Sequence, residues 1–483
     1  MTQYEPVIGL EIHAELQTNS KMFCSCSADY SNAPEPNTFI CPVCTGLPGA
    51  MPVLNKKAIE QAILVGLSLN CSINEFNTFA RKNYFYPDLP KGYQITQYEQ
   101  PLGEHGTITL VTARGEKVIR IRRVHLEEDT GKLTHVEPSG SGRPYSLVDL
   151  NRAGVALLEI VTEPDFHSAE EVRAYAESLR ALVRYLGVNS GDLEKGVMRI
   201  EPNISVRPLG QEELGTKVEI KNLNSFKALE RGVAYEINRQ IELLEAGGKV
   251  AQETAGWDEV KQATFSQRSK EDAHDYRYFP EPDLPPLVVS KHWMDDVRFA
   301  LPELPWARRR RFAQDFGLSL AESWQLASEK AAGEYFESVL KASDSGVRTV
   351  FAWVTGELFS LMNAAGTGFD SAKVHPKELA DLLKLISDGQ INQNTGKAVL
   401  AEMFATGKPA AEIVAKKGLT QVSDTGFIAK IVAETLAENS GEVASYQAGK
   451  LTVANFLFGQ VMRKAGGKAN PQVVRAELEK QLK

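Results

Sequence analysis

Residues Val7 to Leu16 alternate without interruption, with Ile8, Leu10, Ile12, Ala14 and Leu16 on one face of an extended segment and Gly9, Glu11, His13 and Glu15 on the other. A period of two predicts a strand with one face in a core and a row of polar groups about 7 Å apart on the other. The pattern returns at Leu147 to Asn151, where Asp149 and Asn151 oppose Val148 and Leu150. Ala153-Gly154 breaks it, and a second extended run carries Glu159 between Leu158 and Ile160. Ile200 to Arg207 and Lys217 to Lys221 alternate again, aligning Arg199, Glu201, Asn203, Ser205 and Arg207. Between these runs the spacing becomes helical. Lys56 to Leu69 is amphipathic, and Phe226 to Ala246 places Leu229, Val233, Ile237, Ile241 and Leu244 on one stripe before Gly247-Gly248 stops it. Strands mixed with helices, without a strand-helix-strand rhythm, predict an α+β domain built on a mainly antiparallel sheet.

The alternation ends after the Pro-rich passage Phe279 to Pro286 and Leu301-Pro-Glu-Leu-Pro305. Helical patterns follow over 321–340, 348–363 and 377–387, and Gly407-Lys-Pro409 suggests a second linker. The expected organisation is an α+β cradle domain with a zinc-binding insertion over 1–292, an all-α domain over 293–406 and a small helical tail domain over 407–483. A chain of 483 residues exceeds the size at which a single core stops growing, which agrees with several domains.

Composition excludes some classes of function. With 43% apolar and 24% charged residues the chain reads as an ordinary globular protein, and no apolar run reaches the roughly 18 residues of a membrane helix. The N-terminus lacks a charged region followed by an apolar one, so a cytoplasmic protein is expected. A net charge of −8 argues against indiscriminate nucleic-acid binding and leaves room for a local basic surface, such as Lys450, Arg463, Lys464 and Lys468 in the tail.

Two constellations carry candidate chemistry. Glu159 is flanked by aliphatics in a strand, where a carboxylate must be paired, hydrogen-bonded or bound to a cation. An ion pair with Arg152 is one solution; a cation site shared with the Glu11-x-His13 pair is the other, since oxygens with one nitrogen suit magnesium or manganese. The second constellation is Cys24-Ser-Cys26 followed by Cys41-Pro-Val-Cys44. Two close pairs separated by a short loop match a closed four-thiolate zinc site with a structural role, while Cys71 stands apart as a core residue.

Longer blocks carry a resemblance. Val7-Ile-Gly-Leu-Glu-Ile-His-Ala-Glu-Leu16, the run from Arg81-Lys-Asn-Tyr-Phe-Tyr to Glu99-Gln-Pro101, His125-Leu-Glu-Glu-Asp-Thr-Gly-Lys132, Leu147 to Pro164, Gly215 to Ser225 and His274 to Asp283 stand in fixed order. Gly459 to Arg463 and Gly467 to Pro471 extend the series to the C-terminal end. Together they resemble the B subunits of the tRNA-dependent amidotransferase that converts Glu-tRNA(Gln) and Asp-tRNA(Asn) to their amidated forms. One departure is Val155-Ala156, where a proline is expected at or next to Ala156; no chemical group is affected.

The resemblance implies that the chain uses ATP to phosphorylate the side-chain carboxylate of the misacylated amino acid, after which ammonia displaces phosphate. Phosphoryl transfer needs positioned cations and little covalent work from the protein. Glu11, His13, Glu128 and Glu159 then form the expected magnesium site, with Glu127 as the alternative to Glu128. Lys82 and Arg81 are candidates for stabilising phosphate charge or guiding ammonia. No P-loop or kinase-type glycine loop is present, and no Ser-Ser-Lys amidase signature occurs, so ammonia must come from a partner. The resemblance names that partner as the amidase (glutaminase) subunit of the same complex, joined by a small third subunit, with tRNA(Gln) or tRNA(Asn) as the nucleic-acid partner.

Overall fold

The computed structural model describes residues 3–112, 115–137, 143–269, 276–420, 425–466 and 469–482. It divides into two compact units, Met1–Arg308 and Arg309–Lys483. The helix Lys291–Phe299 still buries Val297 in the first core, which is why that unit runs past residue 292.

The first unit is organised on one 12-stranded sheet. Its middle runs Met198–Pro208, Tyr4–Glu15, Ala156–Thr162, Gly115–Glu128, Tyr93–Thr96 and Ala80–Asn83, all paired antiparallel. Val218–Lys221 pairs antiparallel with Met198–Pro208 and parallel with Glu253–Asp258. Gly103–Thr112 returns on Gly115–Glu128 as a hairpin. The expected α+β class, with a mainly antiparallel sheet followed by helices, is the observed one.

The alternation of the first strand explains its central place. Ile8, Leu10, Ile12 and Ala14 are buried, and so are Leu158 and Ile160 on one neighbour and Ile200 and Ile204 on the other. These side chains meet helices that cover a single face of the sheet, through Ile59 and Ile63 of Lys56–Ser68, Tyr175 and Leu179 of Ala169–Tyr185, and Leu229 and Val233 of Phe226–Glu245. Every polar residue of opposite parity is therefore delivered to the other face. The helix Ala169–Tyr185 is absent from the sequence expectation, yet its start was readable from Ser168, a preferred N-cap residue, whose hydroxyl accepts from the Glu171 amide; the Glu171 carboxylate accepts in turn from the preceding His167 amide.

The second unit is helical throughout its described residues and holds two separate cores. Leu326, Phe336, Trp353, Leu379, Leu383 and Leu400 belong to one; Ile428, Val432, Leu457, Val461, Val474 and Leu478 form the other. Ala410, Ile413 and Val414, which follow the Gly407-Lys-Pro409 turn, are buried in the former. The span 321–340 is two helices, Leu320–Ala327 and Lys330–Ala342, because Glu329 is extended between them.

Leu158 is fully buried in a central strand against the helical layer. Leu158→Ala should cost about 2–5 kcal/mol, from lost transfer energy and the cavity left behind. Denaturant titration checks this, and a midpoint equal to that of the parent would show that the sheet face is not packed as described.

Candidate active site

The polar face brings the chemistry-bearing residues together through strand register. His13 lies opposite Glu159 on one side and Arg199 on the other, Glu159 lies opposite His125, and Glu127 stands two residues beyond His125 on the same strand, with Thr96 opposite it on the far side. His13 Nε2 sits 3.5 Å from Glu159 Oε2 and 3.6 Å from Glu127 Oε1. His125 Nε2 donates to Glu159 Oε2 at 3.1 Å, and its tautomer is set by Arg123, whose Nε donates to His125 Nδ1 at 3.3 Å. Arg123 is itself anchored on the carbonyls of Gln97 and Tyr98.

Burial penalises every charge here, and the partners reverse the penalty. Desolvation alone would lower the His13 pKa, but the Glu159 carboxylate, with Glu127 and Glu201 nearby, pushes it up to about 9. Burial would raise Glu159, yet the two imidazoles hold it well below the usual carboxylate range. Lys82 Nζ lies 5.1 Å from the Tyr276 ring centroid, and its pKa is raised against desolvation by Glu127, Tyr278 and Glu159. The ammonium lies within electrostatic reach of the same carboxylates.

His13, Glu127 and Glu159 offer one donor atom each, all within 4.8 Å of one another. Glu127 Oε2 and His13 Nδ1 are buried without a hydrogen-bond partner among the described residues. A buried carboxylate oxygen left in this state is what a cation-binding group leaves behind. Two carboxylates and one imidazole fit magnesium or manganese.

This corrects the expected ligand set in two places. Glu127, not Glu128, faces His13. Glu128 points to the opposite face, where its Oε1 is ion-paired with Lys91 and accepts from the Ile95 amide at 3.0 Å. Parity could have decided this: Val124 and Leu126 are the core positions, so His125 and Glu127 share the polar face and Glu128 does not. Glu11 belongs to a neighbouring group with Glu201 and Glu219. Lys221 lies 3.1 Å from Glu201 and 3.4 Å from Glu219, and Asn203 donates to Glu11. The Glu11 pKa is raised by burial and by repulsion from Glu159 and Glu219.

Arg81 is also turned away from Lys82, as adjacent strand residues must be. Its guanidinium pairs with Glu281 at 2.8 Å and Asp283 at 3.1 Å and lies over Tyr93. Arg152 serves Asp129 at 4.0 Å and the carbonyls of Thr130 and Gly131, so the suggested pair with Glu159 is not formed. Of the motif His274 to Asp283, His274 and Asp275 lie outside the described residues, as does Lys468 of the tail.

Cys24, Cys26, Cys41 and Cys44 bring their sulfurs within 4.8 Å of one another, which is consistent with a structural zinc site. The Cys41 amide donates to Cys44 Sγ at 3.2 Å. Hydrogen bonding from Cys24 draws the Cys44 pKa down to about 4 against its burial. The loop between the pairs is tied to the stretch Val148 to Asn151. Asn151 Oδ1 accepts from the Thr38 and Phe39 amides at 2.8 Å each, and Asp149 accepts from the Asn37 amide at 3.0 Å. Gly154, at φ +87°, lies where an added Cβ would come 3.3 Å from Cys44 Cβ. Asp149, Asn151 and Gly154 thus hold the cysteine module, and Glu159 alone from this stretch reaches the acidic face. Cys71 is buried in the sheet core.

The chain matches the family model for the GatB/GatE catalytic domain over residues 6–295 and that for the GatB domain over residues 334–482. It is 47% identical to the aspartyl/glutamyl-tRNA(Asn/Gln) amidotransferase B subunit of Carboxydothermus hydrogenoformans, with 100% of this chain and 99% of that protein covered. The corresponding B subunits of Moorella thermoacetica and Myxococcus xanthus are 50% and 49% identical, over 99% and 100% of this chain.

A metal held by the cysteines would contribute folding energy, so Cys41→Ser or chelation should lower the thermal midpoint by on the order of 10 °C, with loss of about one zinc per chain. Metal analysis and calorimetry read both. A reduced protein without zinc, or a variant of unchanged midpoint, would contradict the site.

Proposed function

From the premise that this chain belongs to the family of aspartyl/glutamyl-tRNA(Asn/Gln) amidotransferase B subunits, we propose that its polar sheet face activates the side-chain carboxylate of Glu-tRNA(Gln) or Asp-tRNA(Asn) with ATP. Ammonia then displaces the phosphate and gives the amide. The observation that carries this reading is the group His13, Glu127 and Glu159 with an unpartnered buried carboxylate oxygen beside a lysine.

The roles follow from position. His13, Glu127 and Glu159 would hold a magnesium ion, which when bound supplies positive charge to phosphate oxygens. His125, fixed by Arg123, keeps Glu159 ionised and aimed at that position. Lys82 places an ammonium beside the same carboxylates, where it neutralises charge on a transferring phosphoryl group and orients an incoming carboxylate. Glu11 extends the acidic face toward Glu201 and Glu219, and Glu128 and Arg81 act from behind it.

A chain with no amidase signature needs an external source of ammonia. We assign that supply to an amidase (glutaminase) subunit, joined by a small third subunit, in a cytoplasmic complex. The free thiols of the cysteine module and the lack of any helix long and apolar enough to cross a membrane, among the described residues, accord with this. The small helical core after residue 424 is assigned to tRNA binding. Its Lys464 is engaged by Glu434 and Glu438, which leaves Lys450 and Arg463 as the stronger phosphate candidates.

In the assembled complex, His13→Ala, Glu127→Gln and Glu159→Gln should each lower tRNA-dependent ATP cleavage by roughly 10²–10³-fold with assembly retained. Glu15→Gln is the control on the same strand face: Tyr30 can still donate to the new amide oxygen, and repulsion from Asp129 is relieved. Radiolabelled ATP reports the phosphorylated intermediate. Near-parent rates in all three variants would make this chain a scaffold whose activating step lies elsewhere.

Truncation after residue 420 keeps Ala410, Ile413 and Val414 in the second core, whereas a cut at 410 would strip them from it. The truncated complex should bind tRNA more weakly, with a shallower salt dependence, and should retain glutaminase turnover without tRNA. Filter binding across a salt series tests this, and unchanged affinity would remove the tail from the tRNA interface.

A further inference from the structure

Lys21 is fully buried, and its position has no explanation in the activity described so far. An ammonium is rarely buried completely unless an anion compensates it. Among the described residues Lys21 forms no ion pair with a carboxylate. Its Nζ donates instead to the Phe39 carbonyl at 2.7 Å, to the Leu150 carbonyl at 3.4 Å and to Cys44 Sγ at 3.7 Å. Three donors thus meet three acceptors, from the cysteine loop, from the stretch that leads into the Glu159 strand, and from a candidate zinc ligand.

Two carbonyls satisfy hydrogen bonds but do not cancel a charge. The remaining partner can: four thiolates around one zinc leave a centre with a net double negative charge, and its buried member, Cys44, is the one that meets the ammonium. That charge accounts for the burial of Lys21.

We propose that Lys21 is the buried counter-cation of the cysteine metal centre and the positioning residue that couples metal occupancy to the turn at Leu150 to Gly154. The inference rests on the reading of the four cysteines as a zinc site. Through the N–H···S contact Lys21 withdraws charge from Cys44 and slows its departure from the metal. Through Leu150 it ties the same ammonium to the backbone entering Ala156–Thr162, the strand that carries Glu159. Met22 reinforces this tie, since its amide donates to the Gly154 carbonyl at 2.8 Å. A metal-free module would leave Lys21 with no anion and would loosen both connections.

The test uses the full chain in its complex, with Lys21→Met, which keeps the length of the stem, and Lys21→Gln, which keeps a donor without charge. Zinc release to a chromogenic chelator should be at least tenfold faster in both variants. The thermal midpoint should fall for the zinc-loaded protein, while that of the metal-free protein stays equal or rises, because the variant removes an uncompensated buried charge. A merely structural lysine would lower both midpoints alike. Release within twofold of the parent, or equal losses with and without zinc, overturns the role of Lys21. A parent protein that carries no zinc overturns the cysteine site itself, so the two failures are distinct.

Discussion

Glu159 is a carboxylate held ionised in a nearly closed space by two imidazoles, and the polar face is built around that contact. A buried charge of this kind costs several kcal/mol unless its lone pairs are matched by donors of opposite charge. His125 is the matched donor at hydrogen-bond distance, and His13 is the second imidazole, shared with Glu127. The sheet order supplies both. Tyr4–Glu15 and Gly115–Glu128 flank Ala156–Thr162, so Glu159 is sandwiched between histidines that lie 112 residues apart in the chain. A one-residue slip in either pairing would send the histidine into the hydrophobic core and leave the carboxylate unmatched. Register is therefore enforced by charge as well as by apolar burial.

The same stretch of chain serves two purposes on either side of one glycine turn. Before Gly154, Asp149 and Asn151 capture the amides of the cysteine loop; after it, Glu159 reaches the acidic face. Lys21 and Glu128 lie near this hinge, each fully or almost fully buried and each bound to groups from another segment. The cysteine module is thus part of the wall behind the acidic face. A change in it would reach the acidic face through backbone placement, with no need for contact between the cysteines and a substrate.

Function in the second unit depends on a different physical balance. Its helices have no polar sheet face to present, and its two small cores are apolar clusters with charged surfaces. Basic residues there act as exposed charges, several already balanced by glutamates as in Lys464 with Glu438. Exposed charge of this kind is where the proposed tRNA contact would act, through counterion release and with sensitivity to salt.

Local periodicity alone determined a good part of this protein. The alternation at Val7 to Leu16 assigns Glu11, His13 and Glu15 to one face, the paired spacing of Cys24, Cys26, Cys41 and Cys44 marks a candidate metal module, and parity around Val124 and Leu126 places Glu127, and not Glu128, on the face of His125. These features are legible because side-chain direction in a strand, and the approach of close cysteines, depend only on neighbouring residues. Tertiary structure alone decided the rest. Whether Glu159 pairs with Arg152 or with two histidines, whether Glu11 joins His13 or Glu201 and Glu219, and whether Arg81 serves phosphate or Glu281 are choices among partners far apart in sequence. Strand order and burial settle such choices, because a desolvated charge accepts whichever opposite charge or donor the completed sheet brings within about 3 Å, and no local pattern records which one that will be.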